Sequence, residues 1–205
     1  MSTRFWDNMA NSYDNNINKH DLEYQKTLNT IASLLTKSDV VLDFACATGE
    51  QSLDIAPYVQ RVHGIDFSEK MITVATQKAQ DRHVDNISFD AIDVFDERLN
   101  SQSFSAIIAF NIFHLLDDPS KALARLNDLL PSGGLLISQT PCLGEIGWLF
   151  RTVLSFAGKL GLAPKIHNFA YTQLETLISS NQFEIIDSQI WDEKHAVRWI
   201  VARKQ

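Results

Sequence analysis

The stretch "VVLDFACATGEQSLDIA", Val40 to Ala56, decides how the rest of the chain is read. Its apolar run stops at Asp43, passes through a loop of small residues, and enters a segment from Gln51 to Tyr58 with helical spacing. That is the pattern of a buried strand, a tight turn and a helix. Gly49 is a glycine, but Ala45 and Ala47 stand where a nucleotide-binding turn carries further glycines. Glycine serves such a turn by adopting positive φ and by letting the main chain approach a ligand closely. Alanine fails at the first and nearly manages the second. Ala45 and Ala47 are therefore expected at ordinary backbone angles, with the strained bend made by Gly49. The plain alternative is an ordinary strand-to-helix turn.

Outward from this unit the same alternation repeats. Tyr24, Leu28, Ile31 and Leu35 recur at helical spacing before the first strand. After it, "RVHGID" (61–66) reads as a second strand and "SEKMITVATQKAQ" as a helix that Ser68 caps. "ISFDAID" (87–93) and "FSAIIAFN" (104–111) are further strands. Asp118 and Pro119 then open a helix at its N-cap and first position, Gly133 and Gly134 close it, and "LLISQT" (135–140) is a fifth strand. Alternation of this kind implies a parallel sheet covered on both faces. The tail differs. Residues 143–162 are apolar and helix-like, "YTQLETLISS" sets Thr172 and Glu175 at capping-box spacing, and "FEIIDSQIW" and "HAVRWIVAR" close the chain. The turn between those two runs is too short for a parallel crossover, so they form an antiparallel hairpin. The expected fold is α/β: a doubly wound, mostly parallel seven-stranded sheet with an antiparallel C-terminal hairpin and helices on both faces.

Composition narrows the function classes. The 205 residues are 45% hydrophobic and 21% charged, which suits a single domain over 1–205 with one core. A net charge of -7, with no block of Lys or Arg, argues against phosphate-backbone binding and so against a nucleic-acid partner. A small, neutral or cationic partner fits better. No leader-like apolar run opens the chain and no window reaches membrane-spanning length, so a cytoplasmic location is expected. Cys46 and Cys142 read as small buried fillers. His20, His63, His83, His167 and His195 are scattered without ligand spacing, so no metal is expected.

With these residues in place, the chain resembles the class I S-adenosylmethionine-dependent methyltransferases, in particular the ubiquinone and menaquinone biosynthesis group. "FWDNMANSYD" is similar to the helix which that group folds over its cofactor. "VLDFACATG", "VHGIDFSEKMI" and "ISFDAIDV" resemble the first-strand, second-strand acidic and adenine motifs. "FSAIIAFNIFHLLDDP" and "LLPSGGLLIS" resemble the fourth and fifth strands, and the likeness runs nearly end to end. The resemblance implies N-terminal cofactor-covering helices over 1–36 and S-adenosylmethionine as cofactor, with S-adenosylhomocysteine as product. That cofactor has no pyrophosphate to cradle, so missing glycines count more strongly against NAD.

By this resemblance Asp43 holds the cofactor's ammonium, with helix capping as the bland alternative. Asp66, ending the second strand, accepts from both ribose hydroxyls, where a phosphate would be repelled. Phe67 and Met71 wall the adenine, or are plain core. Asp93 accepts from the exocyclic amine and the backbone N–H of Val94 donates to the ring, with Asp90 and Asp96 competing for the role. Ala45 and Gly49 form the cofactor loop, Asn111 faces the transferred methyl, and Tyr13 closes the pocket or simply docks on the sheet. Methyl transfer asks mainly for alignment and exclusion of water, so a base is optional. His114 is the candidate catalytic base, and a helix-start histidine is its alternative.

The apolar segment 143–171 is expected as a lid over the acceptor, with Trp148, Phe169 and Tyr171 as substrate contacts. A docked amphipathic helix or a dimer surface are its alternatives, and monomer and homodimer both remain open. The acceptor is then small and apolar or aromatic. Two other functions stand beside methyl transfer: a catalytically inactive S-adenosylmethionine-binding protein and an NAD-dependent oxidoreductase.

Overall fold

Among the described residues seven strands form, at the seven short apolar runs. They are β1 (Val40–Phe44), β2 (Arg61–Asp66), β3 (Ile87–Ala91), β4 (Ala106–Phe110), β5 (Leu135–Pro141), β6 (Phe183–Asp192) and β7 (Val197–Lys204). The computed structural model describes residues 3–146 and 166–205. Strand order is β3-β2-β1-β4-β5-β7-β6. The expected antiparallel ending is present: β7 runs antiparallel to both β5 and β6. By packing, the chain divides into an N-terminal unit (2–99 with 103–108) and a C-terminal unit (100–102 with 109–205).

In the N-terminal unit β1 pairs in parallel with β2 and β4, and β2 with β3. The register sets Asp43 opposite Gly64 and leaves Asp66 at the end of β2 opposite Ala91. β4 is buried at every position, as expected of a central parallel strand. Helix α1 (Thr3–Met9), a 3-10 turn (Ala10–Asn16) and α2 (Leu22–Leu34) precede β1. Helix α3 (Glu50–Ile55) connects β1 to β2 and α4 (Glu69–Asp81) connects β2 to β3. Ser68 caps α4 as the sequence suggests, accepting the Met71 N–H at 3.2 Å, and the helix buries Met71, Ile72, Ala75 and Ala79.

In the C-terminal unit α5 (Pro119–Leu129) begins as expected, with Asp118 accepting the Lys121 N–H at 2.9 Å. Lys204 ends it, donating from Nζ to the Asn127 and Leu130 carbonyls at 2.7 Å and so satisfying orphan acceptors of the last turn. Trp199 of β7 is fully buried and stacks on Trp191, ring centroids 4.4 Å apart. Helix α6 (Tyr171–Ser179), with Ala170 at its N-cap, starts two residues earlier than the Thr172–Glu175 pattern suggests. Gln173 closes its first turn by accepting the Ala170 N–H at 2.8 Å. Glu175 instead accepts from Ser188 at 2.6 Å and from Arg198 Nε at 3.2 Å, because a cation on β7 outcompetes a backbone amide for its charge. Among the described residues no helix is long and apolar enough to cross a membrane.

Candidate functional site

In the N-terminal unit two carboxylates end neighbouring parallel strands. Asp43 is 4% exposed and accepts from the Ser52 hydroxyl of α3. Burial raises its pKa to about 6, the Ser52 hydrogen bond opposing and the Asp66 charge assisting. Asp66 is 8% exposed and accepts backbone N–H groups on both oxygens, from Ser68 at 2.9 Å and Ala47 at 3.2 Å. Its pKa is also raised, by burial above all, against those two hydrogen bonds and with the Asp7 charge. Among the described residues neither carboxylate has a cationic side chain as partner. Two buried acids without a counter-ion suit a cationic, hydroxyl-bearing ligand.

The loop between β1 and α3 departs from expectation. Ala45 and Ala47 do not keep ordinary backbone angles: both are left-handed, at φ 63° and φ 48°, together with Gly49 at φ 71°. The backbone therefore follows a path favoured by glycine at all three positions, although two carry a methyl. Hydrogen bonds hold it there, from Cys46 N–H to the Ile65 carbonyl at 3.0 Å, Ala47 N–H to Asp66, and Gly49 N–H to the Cys46 carbonyl at 2.9 Å. Gly49 is required for space as well. A Cβ there would lie 2.5 Å from the Phe89 ring and 2.9 Å from the Ala75 methyl.

The other expected residues of this unit lie on β2's continuation, α4, the turn after β3 and the N-terminal segment. Phe67 is half-buried beyond the end of β2, and Met71 is fully buried in α4. Asp93 is exposed in the turn after β3 and accepts the Phe95 N–H at 2.8 Å, while Val94 beside it is buried. Its competitors are engaged elsewhere: Asp96 by Arg98 at 2.9 Å and Asp90 by His63 at 2.8 Å. Asp93 meets no basic side chain among the described residues. Tyr13 is half-buried, and its phenol pKa is raised by burial first and then by the Asp66, Asp14 and Asp43 carboxylates.

In the C-terminal unit Asn111 follows β4 in the left-handed region, φ 53°, and its N–H reaches the Gln139 carbonyl at 2.7 Å. A strained non-glycine residue at a strand end is a mark of functional sites. His114 is 8% exposed, and its Nδ1 has no hydrogen-bond partner among the described residues. Burial, with a smaller contribution from His167, lowers its pKa to about 4, so the ring is neutral at neutral pH. Phe169 stacks on His167 at 5.6 Å and, with Thr172, Gln173, Thr176 and Leu177, lines a groove of about 610 Å³. Tyr171 donates its backbone N–H to Glu145 at 2.9 Å and carries the Arg198 guanidinium 5.1 Å from its ring centre. Trp148 and most of the expected lid, residues 147–165, lie outside the described residues.

Sequence reasoning missed Ser52, the hydroxyl on Asp43, and Phe89, which closes the space behind Gly49. Ser52 follows the loop at helical spacing and offered a weak signal. Phe89 offered none beyond being a strand aromatic.

Residues 35–203 match a family model described as a methyltransferase domain. The chain is 28% identical over 149 residues to an uncharacterized methyltransferase, C1347.09, of Schizosaccharomyces pombe, covering 66% of this chain and 52% of that protein. It is 25% identical over 158 residues to the uncharacterized methyltransferase YcgJ of Bacillus subtilis, covering 74% and 60%. Against the uncharacterized methyltransferase GWCH70_2477 of a Geobacillus strain it is 27% identical over 207 residues, covering 94% and 92%. Thus the chain spans only 52% and 60% of the first two relatives' lengths. The crystal structure of YcgJ superposes with a TM-score of 0.74, covering 88% of this chain and 99% of that one at 17% identity. With the parallel strands, the antiparallel ending and the family match over most of its length, the chain belongs to the methyltransferase domain family and has the class I S-adenosylmethionine-dependent methyltransferase fold.

Proposed function

We propose that this protein transfers a methyl group from S-adenosylmethionine to a small, apolar or aromatic acceptor. The observation that carries the reading is the pair of buried carboxylates, Asp43 and Asp66, set at neighbouring strand ends beside a left-handed loop and lacking a cation among the described residues. Asp43 would take the ammonium and Asp66 the ribose hydroxyls. Phe67, Met71, Asp93 and Val94 would receive the adenine, and Ala45 and Gly49 would bring the main chain close. When bound, S-adenosylmethionine supplies a methyl already activated by its sulfonium. What remains for the protein is to orient the acceptor and exclude water. Asn111 and His114 are proposed for that work, His114 as a neutral hydrogen-bonding group more than as a strong base, since burial weakens its basicity. Phe169 and Tyr171 are proposed acceptor contacts.

Isothermal titration with S-adenosylmethionine, S-adenosylhomocysteine and NAD tests the cofactor. Binding of the first two without NAD is expected, and binding of NAD alone would overturn the reading. Methyl transfer from labelled S-adenosylmethionine to a panel of aromatic and acyl acceptors tests the activity. A binder that methylates none of that panel would refute the acceptor class proposed here.

A further inference from the structure

The N-terminal segment is fastened by polar groups as well as by half-buried apolar side chains. Helix α1 fully buries no residue, though Phe5, Trp6 and Met9 are half-buried, and among the described side chains of the 3-10 turn after it Ala10 is the buried one. Four polar side chains fasten the segment, all to the N-terminal unit. Asp7 accepts from Ser68 Oγ at 2.5 Å. Asp14 accepts from Thr48 Oγ1 at 2.5 Å on one oxygen and meets Lys78 Nζ at 2.5 Å with the other. Lys19 meets Glu50 at 2.5 Å and Asp54 at 2.7 Å, and Tyr24 donates to Asp54 at 2.7 Å. A segment with few fully buried apolar side chains opens locally at low free energy, and its closed position depends on such contacts.

Asp14 differs from the other three. It alone bonds the loop itself, at Thr48, which is 1% exposed and lies between left-handed Ala47 and Gly49. It also follows Tyr13 directly, so fixing its carboxylate fixes the turn that presents the phenol. Lys78 is braced in turn by Glu50 at 2.6 Å, and Glu50 also receives Arg82 at 2.7 Å. The strained loop and the covering segment are thereby joined through one carboxylate.

We propose that Asp14 is a positioning residue for cofactor binding: shared between Thr48 of the loop and Lys78 of α4, it latches the N-terminal segment closed and holds Tyr13 in place. The proposal rests on the assignment of the Asp43–Asp66 site to S-adenosylmethionine. An asparagine at this position keeps an acceptor for Thr48 but offers no charge to Lys78, whereas an alanine loses both.

The test compares the parent with Asp14→Asn and Asp14→Ala by hydrogen exchange without ligand and by the dissociation rate of S-adenosylmethionine. Exchange over residues 3–20 should rise at least about tenfold in Asp14→Ala, which loses both contacts, tenfold being the size expected for one lost charged hydrogen bond, and less in Asp14→Asn, with β1 and β4 unchanged. S-adenosylmethionine should leave faster in the same order. Unchanged exchange, or faster exchange with an unchanged dissociation rate, would overturn the positioning role. If Asp14→Ala fails to fold, Asp14→Asn carries the same comparison. A parent that does not bind S-adenosylmethionine at all would refute the site assignment instead, while the ligand-free exchange still reports on the latch.

Discussion

The Asp66 carboxylate accepts the backbone N–H of Ala47 at 3.2 Å, so the acid at the end of β2 and the loop leaving β1 hold each other in place. Its second oxygen accepts from Ser68 at the start of α4. Asp66 is thus oriented before any ligand arrives, and a preorganised acceptor loses little on binding. Replacing it with Ala should weaken S-adenosylmethionine binding by about 1 to 3 kcal/mol, the usual loss for a charged acceptor. Titration calorimetry on folded protein measures this. An unchanged dissociation constant would remove Asp66 from the site.

Ala47 at φ 48° makes a different prediction from an alanine at ordinary angles. An L-residue in this region costs about 1 to 2 kcal/mol, while glycine adds about 0.4 to 1 kcal/mol of freedom to the unfolded chain. Ala47→Gly should therefore stabilise the protein by several tenths of a kcal/mol to about 1 kcal/mol. It should bind S-adenosylmethionine at least as well. Urea midpoints and calorimetry together decide it. Loss of stability would mean that the methyl makes contacts worth more than the strain it brings.

Why the loop was misread while the strands were legible has a physical explanation. A parallel strand buried on both faces must be apolar throughout, so "VVLDF" and "AIIAF" announce themselves. Caps at Ser68 and Asp118 are equally local, since the capping bond closes within three residues. Left-handed alanine has no such signature, because residue type argues against it and only surrounding hydrogen bonds enforce it. The start of α6 went astray for a related reason. Thr172 and Glu175 have cap spacing, but Glu175 is claimed by Arg198, 23 residues later in the chain. Among the proposed site residues, Asp43 and Asp66 were readable as acids ending apolar runs. The bond from Thr48 to Asp14, 34 residues earlier, was not.

Gly49 should tolerate no side chain, in contrast to Ala47. Its φ of 71° strains an alanine, and the added Cβ would meet the Phe89 ring at 2.5 Å. Left-handed strain and overpacking together predict a loss of about 2 to 5 kcal/mol for Gly49→Ala. Phe89→Leu in the same chain should recover the part of the overpacking that the ring imposes and leave the strain and the contact with the Ala75 methyl. A double-mutant cycle by chemical denaturation measures that coupling. Strict additivity of the two changes would show that Phe89 moves aside freely and that conformation and the Ala75 contact, not the ring, reserve this position for glycine.

Asp43 should make the ligand-free protein less stable as pH rises. Its carboxyl titrates at about 6 when folded, against an ordinary value of 3.8, because burial disfavours the charged form. Between those values the folded state holds a proton that the unfolded state has released. Asp43's contribution to stability therefore falls from about pH 4 to about pH 6 and levels off above, by on the order of 3 kcal/mol for a shift of about two units, while His114, whose pKa burial lowers to about 4, contributes a slope of opposite sign over the same range. Asp66 is shifted in the same direction as Asp43 and contributes a slope of the same sign as that carboxylate. Asp43→Asn should make stability change with pH between 4 and 6 in the more positive direction than in the parent, since the falling contribution is removed and the rising one of His114 stays, and should raise stability at pH 7. A bound cation favours the carboxylate, so S-adenosylmethionine should bind the parent more tightly at pH 7 than at pH 5 and the Asp43→Asn variant with little pH dependence from this position. Urea titrations from pH 4 to 8, with dissociation constants at both ends, measure both halves. Equal slopes in parent and variant would mean that Asp43 is charged throughout this range and that its burial is balanced by a partner the ligand does not replace.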